Sequence, residues 1–300
     1  MADFALLKKT KPFYQLLWLL LLFLGFSIIV PIFLMLIGIP VWGREIIMSG
    51  ISDQTPLSYL IYFQFFSQVG VFAGVAFLFA RLNDTNVLGF LKLKKSSHIS
   101  FVLLAIIAMI SVIPLSSWLL ELSLSFSFPE SMESFIATLK QQEDATNALM
   151  LRFLNVEGWG WLAFNLVFLA LVPAFCEELL FRGALMNVFQ KMTRNKHFVV
   201  ILTAIVFSAI HMQFFSFLSR FALGLVLGYA TIYSGSLVPA IAAHFVNNAF
   251  SVVGYYFSDD KTIDKIATTN NYWVLILSFF VAITMVVVMK KKSLGYENQP

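Results

Sequence analysis

Val167-Phe168-Leu169-Ala170-Leu171-Val172-Pro173-Ala174-Phe175-Cys176-Glu177-Glu178-Leu179-Leu180-Phe181-Arg182 is the stretch that decides the fold. An apolar run fit for lipid leads without a break into two carboxylates and a guanidinium. Ionisable groups are expensive in such a setting and are usually retained there for a site. On a helix Glu178 and Arg182 stand one turn apart and suit a charge-assisted hydrogen bond. Glu177 points about 100° away around the axis and is left for another role. The Glu178–Arg182 pair can equally be structural only, since buried ion pairs also occur outside active sites. Pro173, four residues before Glu177, frees a backbone carbonyl one turn earlier and can open a cavity beside the carboxylates.

The rest of the chain fits this setting. Of 300 residues 59% are hydrophobic and 12% charged, 33 are Phe, and mean hydropathy is +0.84, which places the chain among polytopic membrane proteins. A net charge of +4 would suggest nucleic acid in a soluble protein, but here the lysines sit at the ends of apolar runs, so no nucleic-acid partner is expected. The single cysteine excludes an internal disulfide framework and any multi-cysteine metal site, and Cys176 reads as a small buried filler. Phosphate-binding and dinucleotide glycine patterns are missing.

Apolar stretches fall at about 13–40, 58–80, 99–120, 159–190, 198–212, 217–233, 238–256 and 272–289. At roughly 20 residues per crossing they predict an all-α membrane bundle of about eight transmembrane helices in one domain, 1–300. The fifth and sixth stretches are short enough to be tilted or re-entrant. The first follows Lys8, Lys9 and Lys11 and is too long for a signal-peptide core, so it should remain as a span. Further basic clusters follow the second, fourth and eighth stretches: Arg81, Lys92, Lys94 and Lys95; Lys191, Arg194 and Lys196; Lys290, Lys291 and Lys292. Eight crossings put all four clusters on one side and both termini in the cytoplasm.

The other side receives the 121–157 connection, where Glu121, Glu130, Glu133, Glu143, Asp144 and Glu157 outnumber Lys140 and Arg152. Between Pro129 and Gly158 it reads either as an amphipathic surface helix or lid, or as a wet connector. A weaker charged loop with Asp259, Asp260, Lys261, Asp264 and Lys265 falls on the same side.

Two of the four histidines complete the polar set. His211 ends Phe207-Ser208-Ala209-Ile210-His211 and, with a carboxylate to orient it, suits a general base or acid. His244 and Asn248 lie one turn apart and can aim two donors at one point, as an oxyanion site requires, while Asn247 should face elsewhere. His98 and His197 sit beside cationic residues and read as interfacial. No His-Glu-x-x-His motif, Gly-x-Ser-Gly pattern or paired aspartyl motif occurs. Glu177, His211 and His244 would be adequate zinc ligands in three dimensions, but no metal or other cofactor is expected.

These phrases resemble the CPBP family of intramembrane proteases, the CAAX-protease and bacteriocin-processing group also called Abi. Its Glu-Glu-x-x-x-Arg motif is matched by Glu177, Glu178 and Arg182, its Phe-x-x-x-His motif by Phe207 and His211, and its His-x-x-x-Asn motif by His244 and Asn248. The resemblance covers about 159–256, which it implies to be the protease core. It implies a metal-independent glutamate endopeptidase in which Glu177 and His211 activate water, His244 and Asn248 stabilise the oxyanion, and Glu178, Arg182 and Phe207 support them. Expected partners are membrane lipid and a hydrophobic or prenylated peptide, and the expected location is a bacterial inner or plasma membrane. The alternative is a non-catalytic immunity or scaffold protein, or a small transporter, built around the same polar cavity.

Depth poses a difficulty. Counted from Trp159 at about 1.5 Å per residue, Glu177 lies roughly 27 Å along its helix, near the cytoplasmic boundary. His244 should be at compatible depth, and His211 too far out unless its segment is tilted or starts deeper.

Overall fold

A computed structural model describes residues 5–52, 54–93, 98–258, 269 and 271–297, and every regular element among them is helical. Lys94 and Lys95, and the loop residues Asp259, Asp260, Lys261, Asp264 and Lys265, lie outside the described residues. Nine longer helices carry the architecture among the described residues. They are α1 (Pro12–Trp42), α2 (Leu57–Asn83), α3 (Ile99–Leu124), α4 (Glu133–Leu154), α5 (Trp159–Met192), α6 (Lys196–Ala209), α7 (Phe217–Ser234), α8 (Val238–Phe257) and α9 (Tyr272–Glu297).

All eight apolar stretches are helical, so the chain is a polytopic helical membrane bundle, but among the described residues six rather than eight helices are long and apolar enough to cross: α1, α2, α3, α5, α7 and α9. α6 has 14 residues, about 21 Å, against a hydrocarbon core of about 30 Å. α8 has 20 residues, but His244, Asn247 and Asn248 dilute its apolar character.

Local chemistry sets the breaks. Gly43 (φ 86°) closes α1 in a conformation that side chains rarely adopt. Asn195 starts α6 by accepting from the backbone N–H groups of His197 and Phe198 (3.0 and 3.1 Å). Pro173 is accommodated inside α5 because a π-helical turn, Leu166–Leu171, directly precedes it and loosens the ladder where the missing N–H would have bonded.

Of the two larger hydrophobic centres among the described residues, one lies among α1, α2, α5 and α6 around Phe79, Phe181, Met186 and Val200, the other among α3, α7, α8 and α9 around Met109, Leu227, Ala243 and Met289. Lys92, Lys191, Lys196 and Lys290 gather at one end of the bundle. Lys191 donates to Gln15 (2.9 Å), Lys92 donates to Gln190 (2.8 Å), and Lys196 and Lys290 line one pocket. α4 lies at the other end, where Arg152 donates to the carbonyls of Ser52 (2.8 Å) and Thr55, and Asn165 donates to the Phe153 carbonyl (2.9 Å).

Candidate active site

The depth difficulty disappears once the hairpin of α5 and α6 is measured. α5 continues to Met192 and spans 34 residues, about 51 Å, so Glu177 lies near the middle of that helix. From Glu177 to Met192 is 15 residues, and from Lys196 to His211 is also 15. Arms of equal length, about 22 Å each, bring His211 back to the level of Glu177. α8 starts deep for a separate reason. The Leu237 N–H donates to the Lys92 carbonyl (3.3 Å), and Leu237 packs on Gly183, where an added Cβ would stand 3.4 Å from Leu237 Cδ1 and 3.0 Å from Leu91 Cδ2. Six residues separate Gly183 from Glu177 and seven separate Leu237 from His244, so these two side chains share a level.

Glu177 is 8% exposed and its two oxygens have different surroundings. Oε1 accepts from Gln68 Nε2 (2.9 Å). Oε2 has no hydrogen-bond partner and faces two imidazoles, with His244 Nε2 at 3.8 Å and His211 Nε2 at 4.0 Å. Both rings are oriented through their other nitrogen. His211 Nδ1 donates to the Phe207 carbonyl (2.7 Å), and His244 Nδ1 donates to Glu178 Oε1 (2.9 Å). In the neutral tautomers this leaves each Nε2 as an acceptor, and Nε2 donates only from a doubly protonated ring.

Glu178 and Arg182 are wholly buried, and Arg182 Nη1 donates to Glu178 Oε1 (2.6 Å). Arg182 Nη2 donates to the Gly224 carbonyl (3.2 Å), and the guanidinium lies 4.5 Å over the Phe207 ring. Phe207 in turn meets His211 and His244 edge-on (5.0 and 5.8 Å between centroids). Glu178 therefore links the guanidinium to the His244 ring, and Phe207 forms a shared wall for Arg182 and both imidazoles.

The structure thus brings Glu177, Glu178, Arg182, Phe207, His211 and His244 into one cluster. Asn248 lies one turn beyond His244, and its Oδ1 accepts from Asn247 Nδ2 (3.2 Å), while Asn247 itself lines a separate pocket with Glu143, Ser216 and Arg220. Cys176 is buried, and His197 bonds Tyr229 far from the cluster. Sequence reading missed Gln68. It sits at the start of a π-helical turn, Gln68–Gly74, and the only signal was an amide inside the apolar run Phe65-Phe66-Ser67-Gln68-Val69. A further π-turn, Leu179–Leu185, follows the Glu pair, and such turns recur at functional sites. Among the described residues no group of three His, Cys, Asp or Glu side chains is suited to hold a metal ion.

Comparison with known proteins points the same way. Residues 159–250 match the family model of Type II CAAX prenyl endopeptidase Rce1-like proteins. A relative from Bacillus subtilis (strain 168), "Uncharacterized protein YyaK", is 28% identical over 104 residues, which cover 32% of this chain and 35% of the relative. The chain thus matches about a third of that relative's length. No solved structure matches. Glu177, Arg182, His211 and His244 all lie within the segment that matches this family model, which supports the resemblance to the CPBP/CAAX protease family.

Proposed function

We propose that the chain is an intramembrane endopeptidase that hydrolyses hydrophobic or lipidated peptides with a glutamate-activated water. The observation that carries this reading is Glu177 Oε2, without a direct partner and facing two imidazole Nε2 atoms at 3.8 and 4.0 Å. Those separations are too long for direct hydrogen bonds and match what one bridging water spans. Gln68 fixes the other oxygen, so the carboxylate presents Oε2 to the water in one orientation.

In the reaction the water gives its proton to Glu177 while His211 Nε2 orients it, and the oxygen adds to the scissile carbonyl. The oxyanion faces the Asn248 amide, whose own Oδ1 is already engaged by Asn247, and His244, whose ring is held by Glu178 through Nδ1 and donates from Nε2 in its doubly protonated form. The proton held by Glu177 then passes to the leaving amine as the C–N bond breaks. The lysine-rich end is assigned to the cytoplasm, with both termini there.

The test is cleavage of pooled hydrophobic and prenylated peptides by purified protein in detergent, with and without chelator, for wild type, Glu177→Gln and His211→Ala. Cleavage that survives chelator and vanishes in both folded variants supports the mechanism. A chelator-sensitive activity overturns the metal-free mechanism. Absence of cleavage, with both variants retaining cellular function, overturns the enzyme reading in favour of a binding or immunity role.

A further inference from the structure

Away from the cluster, where α6, α7 and α9 adjoin α3, two cavities meet. One, about 200 Å³, is lined by Lys196, His197, Tyr233, Lys290 and Ser293. The other, about 350 Å³, shares His197, Tyr233 and Lys290 and continues between α7 and α9 past Val226, Ile283 and Phe279. The first carries two lysines on a largely apolar wall, the second is almost wholly apolar.

We infer that this continuous groove is a binding site for one anionic glycerophospholipid, with its headgroup phosphate between Lys196 and Lys290 and an acyl chain along α9. Three observations select that occupant. Among the described residues neither lysine has a carboxylate within ion-pair distance, and the two cations line the same end of the groove. His197 Nδ1 is joined to Tyr229 Oη (2.8 Å) and Tyr229 stacks on Tyr233 (5.7 Å between centroids), which gives the headgroup end a fixed floor. From Lys290 back to Phe279 is 11 residues, about 16 Å of helix, close to half of a hydrocarbon core of about 30 Å. The groove is therefore one leaflet long, with its charge at the end where the other lysines gather. Basic pockets between membrane helices hold acidic headgroups by these means. A soluble anion would use only the lysine end, and a neutral lipid only the apolar one.

The experiment uses the purified full chain, delipidated in detergent and offered dioleoyl-phosphatidylglycerol or dioleoyl-phosphatidylcholine, with bound lipid counted by native mass spectrometry. Phosphatidylglycerol should be retained at about tenfold lower concentration than phosphatidylcholine, and the gap should close to about twofold in Lys196→Glu/Lys290→Glu. Lys196→Arg/Lys290→Arg should keep the preference, which separates lost charge from lost fold. Ile283→Trp, which fills the apolar length, should weaken retention of both lipids. Inorganic phosphate in excess should not displace the bound lipid. Equal retention of the two lipids by wild type, a preference that survives the double Glu variant, or displacement by phosphate alone would each overturn the assignment. None of these readouts depends on peptidase activity.

Discussion

Glu143 and Ser216 are joined twice, through the Ser216 backbone N–H (3.1 Å) and the Ser216 hydroxyl, while the same carboxylate also accepts from the Phe215 N–H (3.0 Å). A side chain of α4 thereby satisfies donors that the start of α7 leaves without helical partners, and a negative charge sits at the positive end of that helix. The turn held in this way begins four residues after His211.

Glu143→Ala should therefore loosen α4 and the turn together. Two backbone donors lose their acceptor at a site where Glu143 is 6% exposed, and the cost should be about 2–4 kcal/mol. Hydrogen exchange should quicken across 133–154 and 210–220 while α9 stays protected. Glu143→Gln keeps one acceptor and should lose about half as much. Unchanged exchange in Glu143→Ala would refute the latch.

Gln68→Leu should leave the bundle folded and lower kcat with little change in KM. It removes one hydrogen bond to a charged group, and a loss of about tenfold to a hundredfold is expected in steady-state kinetics. Gln68→Glu should be worse, because a second carboxylate would stand where an amide now lies 2.9 Å from Glu177, and two such groups do not both ionise easily. Equal kcat in wild type and Gln68→Leu would remove Gln68 from the site.

For the buried ion pair, Glu178→Leu or Arg182→Met alone should cost about 3–5 kcal/mol in reversible detergent unfolding, since each strands a charge at a position with no solvent exposure. The double variant should lose much less than the sum of the two. Additive losses in this double-mutant cycle would show that the groups act independently.

At Gly224 an added Cβ would stand 3.0 Å from Ala204 Cβ and 3.3 Å from Phe207 Cδ1. Gly224→Ala should push α7 off α6 and pull the Gly224 carbonyl from Arg182, at about 1–3 kcal/mol. Ala204→Gly in the same chain should restore only part of the melting temperature, since Ala204 Cα still stands 3.2 Å from the added Cβ. Failure of that second change to help would place the strain elsewhere.

The chemistry was more legible in the sequence than the geometry. Glu177, Glu178 and Arg182 announced themselves by charge in an apolar run, and the i,i+4 rule anticipated the Glu178–Arg182 bond found at 2.6 Å. Gln68 carried no such signal, because an uncharged amide costs less in an apolar helix and its partner lies 109 residues away. Glu143 was hidden among other acidic residues of its connection, all equally plausible on a wet surface. The apolar stretch 159–190 already showed most of the 34 residues of α5, but that α6 returns along an arm of equal length and brings His211 level with Glu177 shows only in the partners the two helices meet.

The equal arms of the α5–α6 hairpin make Thr193-Arg194-Asn195 the origin of a ruler. One extra helical turn in either arm would slide His211 past Glu177 by about 5.4 Å while leaving every motif residue in place. A copy of this chain with such an insertion would still read as intact by its signatures and would have lost its site. The spacing of 34 residues between Glu177 and His211 is in that sense as much a part of the specification as either side chain.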